Sequence, residues 1–480
     1  MSTLSSERKG LILVLLAAAQ FVVVLDASIV NVALPSIGRD LTLSQDSLSW
    51  VVNSYVLVFG GFLLLGGRIA DLLGRKRIFI VGLLLFCLAS LLGGLSQSEG
   101  QLIAARVLQG LGAALLSPAA LAILTTTFKE GAERNKALGV WGAVAGSGGA
   151  VGVLLGGILT QSLGWEWVLF VNVPITALAA IGAFRVLSES RDESASSFDV
   201  FGAITITGGL SLLVYTIVDA NNSGWGSTKT ISLFIVSFVL IAAFIAIERV
   251  WKQPLLPFRI FRNRTLTGAN LTGVFVAMSL FSMFFFVSLY MQQVLGYSAL
   301  KAGLAYLPLA GGIIVSAGFA SVLTTRIGFK PVLAGGMMLV AAGLYWFSHV
   351  SADGSFAGDI LFPSLLAALG LGFAFVPLTI ASVSGVEPDD AGLASGLINT
   401  SQQVGGALGL AILVAVSNSR FGSVTGAPLV RLTESFQSAF LVGAALALTG
   451  AVLSLVLISS RDSKTHRDAA QAGDLAPVIV

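Results

Sequence analysis

The run LILVLLAAAQFVVVLDASIVNVAL, residues 11–34, is almost unbroken apolar sequence with a single acid, Asp26, set inside it. As a helix it would extend about 36 Å at 1.5 Å per residue, more than the roughly 30 Å of a bilayer's hydrocarbon core. Arg8 and Lys9 precede it as in a signal peptide. The run is too long for one, however, lacks a small-residue cleavage site and is followed by more of its kind, so it is expected to remain as an uncleaved first span. An acid within such a run costs a few kcal/mol to insert, which makes Asp26 a candidate functional group from the outset.

Comparable runs recur over residues 47–66, 78–95, 102–126, 137–160 and 167–187, then 200–218 and 231–247, then 271–294, 302–324, 332–350, 360–382, 393–417 and 439–459. The expected fold is therefore all-α and integral to the membrane, with 14 transmembrane helices arranged 6+2+6. Composition agrees: the 480 residues are 55% hydrophobic and 11% charged, against roughly a quarter charged in soluble domains. The 55 glycines suit membrane helices, which associate by close backbone approach because lipid supplies no hydrophobic drive between them. The net charge of +3 comes from residues scattered over short loops, not from one basic stripe, so nucleic acid is not an expected partner. Cys87 is the only cysteine, which excludes an intrachain disulfide and a cysteine-based metal cluster. No Walker loop, zinc-ligand spacing or nucleophile elbow occurs, so the chain is not expected to be an enzyme and no cofactor is implied.

Loops on the N-terminal side hold Arg8, Lys9, Arg68, Arg75, Lys76, Arg77, Lys129, Arg134, Lys136 and most later basic residues, whereas the other side has little beyond Arg39, Lys229, Lys301, Arg420 and Arg431. By the positive-inside rule both termini are expected in the cytoplasm. Gly139, Gly148, Gly149 and Gly152 recur at the same spacing as Gly396, Gly405, Gly406 and Gly409, and this marks the two six-span blocks as parallel copies. The expected divisions are a six-helix bundle over 1–187, a cytoplasmic linker over 188–198, two inserted helices over 199–249, a second bundle over 250–460, and a polar, disordered cytoplasmic tail over 461–480.

Three motifs carry a resemblance. LDASIVNVALP, residues 25–35, surrounds Asp26; GRIADLLGRKR, residues 67–77, joins the second and third spans; LIAARVLQGLGAALLSP, residues 102–118, places Arg106 inside the fourth span. With the glycines of the fifth span they resemble the fourteen-span drug:proton antiporters of the major facilitator superfamily over nearly the whole chain. The resemblance implies proton coupling at Asp26 and Arg106, a cytoplasmic gate motif at Gly67, Asp71, Gly74 and Arg75, and an antiporter glycine motif at Gly139, Gly148, Gly152, Gly156 and Gly157. Val153 stands where that motif usually has proline, and Ile69 and Leu72 also depart from the pattern. From the residues themselves, Asp71 is expected to cap a helix across the boundary between the blocks, with Arg75 paired to an acid there.

Arg106 has a bland alternative, snorkelling to the nearby interface. Asp26 likewise could be a structural partner of Gln20 or Asn31. Gln20, Asn31, Phe285, Asn399 and Gln403 are candidates for a substrate cavity, beside the reading that aromatics fill the core and buried amides join helices. The function implied is proton-coupled multidrug or antibiotic efflux across the plasma membrane by alternating access, protons moving in as a hydrophobic or cationic drug moves out. Expected partners are a drug-like small molecule, protons and membrane lipid, with the chain a monomer. The alternatives are an importer or symporter of a small nutrient or metabolite on the same fold, or a non-transporting membrane sensor, against which the lack of a sizeable soluble domain counts.

Overall fold

The computed structural model describes residues 6–128, 132–191, 199–252, 254–386 and 391–472. Among them all regular structure is helical. The first block comprises α1 (Ser6–Asp40), α2 (Gln45–Leu73), α3 (Arg75–Gly94), α4 (Glu99–Thr127), α5 (Ala132–Ser162) and α6 (Trp167–Val186). The insertion is α7 (Val200–Ser223) and α8 (Thr228–Val250). The second block is α9 (Arg264–Val294), α10 (Ala299–Ile327), α11 (Phe329–Phe347), α12 (Phe356–Val383), α13 (Ala391–Ser423) and α14 (Pro428–Leu457), followed by a short α15 (Ser460–Ala472). Thirteen of these helices carry an apolar stretch long enough to cross a membrane. The fourteenth, α5, is a continuous helix of 31 residues.

The helix pairings of the first block recur in the second. α1 packs on α5 and α6, α4 on α2 and α3, and α3 on α6; likewise α9 packs on α13 and α14, α12 on α10 and α11, and α11 on α14. The glycines show why the copies superpose. A Cβ on Gly148 would press on Val24 of α1 at 3.1 Å, and one on Gly152 would strike Ser28; a Cβ on Gly405 would strike Val274 of α9, and one on Gly409 Met278. Each strip thus lets a fifth helix lie backbone-close to the first helix of its own block. In this register Asp26, between Val24 and Ser28, has Val276, between Val274 and Met278, as its counterpart, and Val276 is fully buried. The charge belongs to one copy of the scaffold only.

The blocks meet along two seams, α2 with α13 and α5 with the start of α10. α7 lies in the first seam from end to end: Ala203 clusters with Leu65, Thr207 sits against Gly61, Tyr215 against Trp50 at 6.3 Å, and Asn222 donates to Asp46 at 3.0 Å. At the face away from the termini the blocks are fastened. Ser288 Oγ donates to the Asn31 carbonyl at 2.8 Å, Gln292 Nε2 to the Val32 carbonyl at 2.9 Å, and the Leu300 amide to Gln161 Oε1 at 3.1 Å. Among the described residues no comparable interface joins α4 to α12 at the terminal face.

The tail departs from expectation. Polarity marked residues 461–480 as disordered, yet residues 460–472 form a helix docked on the turn between α10 and α11. Ser463 Oγ accepts from the Lys330 amide at 3.2 Å, Lys330 Nζ donates to the Ile458 carbonyl at 2.8 Å, and the His466 ring lies 5.7 Å from that of Phe329. A few specific contacts offset a sequence with little apolar content. Burial on Phe329 lowers the pKa of His466 from its ordinary 6.5. The undocked tail therefore takes up a proton more readily, and docking is fully stabilised above that value and lost as pH falls through the depressed one. Hydrogen exchange over 460–472, corrected for intrinsic rates, is expected to quicken from about pH 7 to about pH 5 and to lose that dependence in His466→Gln.

Candidate functional site

Asp26 has no exposed surface, and neither has its neighbour Gln109; Arg106 is 1% exposed. The Arg106 guanidinium pairs with Asp26 Oδ2 through Nη1. Its Nε donates to the Val51 carbonyl at 2.9 Å and its Nη1 to Gln109 Oε1 at 2.8 Å, while its plane lies 4.4 Å from the centre of the Tyr55 ring. Asp26 Oδ1 accepts from Asn172 Nδ2 at 2.8 Å and from Gln109 Nε2 at 3.1 Å. Gln109 also donates to Ser90 Oγ at 2.8 Å, and the Tyr55 hydroxyl donates to the Val23 carbonyl at 3.3 Å. Five helices of the first block, α1, α2, α3, α4 and α6, thus converge on one ion pair.

Such a pair is stabilised in a dry interior by hydrogen bonds to its remaining lone pairs and protons, and here both oxygens of Asp26 and the Nε and Nη1 of Arg106 have them. The fifth span contributes by position. Gly148, Gly152 and Gly156 line the side of α1 that runs past Asp26, where a Cβ on Gly156 would meet the Ile29 carbonyl at 2.7 Å. Gly157 turns instead to the second block, against the Ala299 carbonyl of α10 at 2.7 Å. Gly139 lies on the same helix, but its surroundings are outside the described residues.

Sequence reading had paired Asp26 with Arg106 and missed Asn172, Tyr55 and Ser90. Asn172 is the single amide of the sixth run and begins the longer of two helical segments separated at Val171, and that isolation was the available signal. Its Oδ1 and both amide atoms of buried Asn53 have no protein partner.

In the gate motif Asp71 accepts from Arg75 of the same turn, at 2.8 Å from Nε and 2.7 Å from Nη2; residues 387–390, which lead into α13 of the other block and on which a cap across the boundary would fall, lie outside the described residues. Gly74 takes φ +109°, a turn that a side chain would strain, and Gly67 packs beside Pro118. The loop is tied to its own block: the Lys76 amide donates to Glu189 Oε1 at 3.1 Å and the Arg75 amide to the Ser190 carbonyl at 2.9 Å. Asp71→Asn is expected to slow transport several-fold while changing stability by only about 0.5 to 1 kcal/mol, since a pair that keeps some contact with solvent at a loop is worth little. Normal transport at equal expression would show that the loop has no gating role.

The five proposed cavity residues are not brought together. Phe285 has no exposed surface and stacks edge-on with Phe286 at 5.2 Å, itself against Phe436 and Phe440, in the core of the second block. Asn31 bonds back to the Ala27 carbonyl at 2.9 Å and offers its own carbonyl to the closure. Gln20 accepts from Ser117 at 3.3 Å, joining α1 to α4. Asn399 is exposed and bonds within its helix, and Gln403 lies against Gly60 of α2 in the seam.

Residues 16–410 match the Major Facilitator Superfamily profile. The chain is 40% identical over 459 residues to the puromycin resistance protein of Streptomyces alboniger, covering 94% of this chain and 91% of that one. It is 42% identical over 449 residues to the cephamycin export protein of Amycolatopsis lactamdurans, with 93% and 92% covered. Against a multidrug transporter protein of Bacillus subtilis the identity is 32% over 432 residues, with 89% and 79% covered. Its fold is similar to the crystal structure of a bacterial homolog of the human lysosomal transporter Spinster, in an inward-facing, unoccupied conformation, with a TM-score of 0.67 at 18% identity over 96% of this chain and 99% of that one.

Proposed function

This chain belongs to the major facilitator superfamily, a transporter and not an enzyme, and from that premise we propose that it exports drug-like molecules across the plasma membrane in exchange for protons. The similarity to antibiotic and multidrug exporters over nine-tenths of the chain supports the direction and the class of substrate. The observation that carries the coupling is the buried pair of Asp26 and Arg106, the one ion pair inside the membrane region among the described residues with both members essentially unexposed.

Protonation of Asp26 would turn the ion pair into a neutral acid beside a cation. Arg106 would keep the Val51 carbonyl, Gln109 Oε1 and the face of Tyr55 but lose its counter-charge, which destabilises this arrangement as α1 loses its strongest tie to α4. Asn31 and Val32, whose carbonyls fasten α1 to α9, lie only about 8 to 9 Å further along the same helix at 1.5 Å per residue. A shift of α1 therefore acts directly on the closure. On the positive-inside rule the face carrying the termini is the cytoplasmic one, and the fastening of the opposite face supports a cavity that opens on this side. The cavity would then take substrate from inside and, after rocking, release it outside as a monomer working alone. Membrane potential adds about 2.3 kcal/mol per charge for each 100 mV.

The test is efflux of a panel of cationic and neutral dyes from proteoliposomes with and without a pH gradient. Accumulation that follows the gradient and collapses with an uncoupler is expected. Efflux that survives the uncoupler and stops on ATP removal would overturn the proposal, and uptake driven in the direction of the gradient would favour a symporter.

A further inference from the structure

A second pair of acids lies at the base of the inserted helices. Asp199, which caps α7, has no exposed surface, and Glu248 in the last turn of α8 is 3% exposed. Each has one oxygen satisfied by backbone: the Gly202 amide donates to Asp199 Oδ1 at 2.7 Å, and the Leu256 amide to Glu248 Oε2 at 2.8 Å. The other two oxygens, Asp199 Oδ2 and Glu248 Oε1, have no partner. Both lie over the Cα of Gly202, where a Cβ would strike the first and come within 2.9 Å of the second, so the two bare oxygens flank one point. Glycine at 202 makes the room in which they face one another.

Among the described residues no group donates to either oxygen. Ala203 and Leu255, next in sequence to Gly202 and Leu256, belong to an apolar cluster with Leu65 on which Phe62, Leu64 and Ile69 pack. The charged residues of the adjoining elements are Arg68 on α2, Arg249 on α8, and Lys252 and Arg259 on the connector toward α9. None of them donates to Asp199 Oδ2 or Glu248 Oε1. Two carboxylates in such contact do not both ionise without large repulsion, whereas one proton between them satisfies both bare oxygens.

We propose that Asp199 and Glu248 form a second proton-binding site, separate from Asp26, which holds one shared proton and thereby fastens the connector at Leu256 to the ends of α7 and α8. Loss of the proton leaves two like charges in contact, and Glu248 then swings away and releases the Leu256 amide. The site stands on its own geometry and does not depend on the export reading. Its ligand is a proton because each acid brings only one free oxygen, and no group of three or more potential metal ligands is found among the described residues.

Infrared difference spectra of the full chain in lipid nanodiscs provide the test. The band of a buried protonated carboxyl is expected in the wild type and in Asp26→Asn, and its loss is expected equally in Glu248→Gln and in Asp199→Asn. The amide variants keep a donor toward the remaining acid, so the fold is retained. Hydrogen exchange gives an independent reading. With one proton lost per opening, exposure of the Leu256 amide should rise about tenfold per pH unit beyond the intrinsic rate in the wild type and stay flat in Glu248→Gln. A carboxyl band that persists in both variants, or that vanishes in Asp26→Asn alone, would overturn the proposal, as would exchange at Leu256 with the same pH dependence in wild type and Glu248→Gln.

Discussion

Asp26→Asn is expected to abolish proton-driven transport and to destabilise the first block by about 3 to 5 kcal/mol, the usual result of removing one member of a buried pair. The cost is one-sided. Asparagine can still accept from Asn172 and Gln109, but it leaves the Arg106 guanidinium without a counter-charge, and a guanidinium does not escape by losing its proton. In the reverse variant, Arg106→Gln, Asp26 escapes by taking up a proton, so the damage should shrink at low pH. The double variant removes both charges and should be more stable than Asp26→Asn alone. Thermal unfolding in detergent, combined with transport in proteoliposomes, gives the double-mutant cycle. Additive effects would show that the two side chains act separately.

Gly156→Val should be strongly damaging although it removes no polar group. Its Cβ would meet the Ile29 carbonyl at 2.7 Å and Ile29 Cγ1 at 3.1 Å, and a backbone carbonyl in a packed helix has little room to move. Overpacking of this kind costs about 1 to 3 kcal/mol, and here it also pushes α1 away from α5 between Asp26 and the closure. A several-fold loss of folded protein is expected, with the survivors impaired in transport. Gly149→Ala is the control, since nothing lies within 4 Å of the Cβ it would add; it should behave as wild type. Equal behaviour of the two variants would remove the glycine strip from the account.

Span number, the order of the blocks and the partnership of Asp26 with Arg106 were legible in the sequence because each rests on a strong local signal. Apolar length is set by the bilayer, glycine spacing by helix contact, and a charge inside a span by the need for a partner. The rest was not legible because it depends on which helices meet. Tyr55 and Ser90 are unremarkable in their own runs, Asn172 is marked there only as a lone amide, and all three become partners only where α2, α3 and α6 converge on α1 and α4. Phe285 reads the same whether it faces a cavity or a core, and the structure puts it in the core. Asp71 bonds within its own loop in this conformation, and a sequence does not say which conformation is populated. The α15 tail is polar enough to read as disordered, and a handful of hydrogen bonds around Ser463 and Lys330 decides otherwise.

The placement of α7 makes the two flanks of the molecule unequal. Along one flank it fills the seam between α2 and α13 over its whole depth, with α8 outside it, while among the described residues no further helix covers the seam between α5 and α10. A solute dissolved in the bilayer therefore meets the groove between the blocks from the α5 and α10 flank alone. Lateral entry would be single-sided, and its threshold would be Gly157 and Gly303, whose backbones lie in contact there.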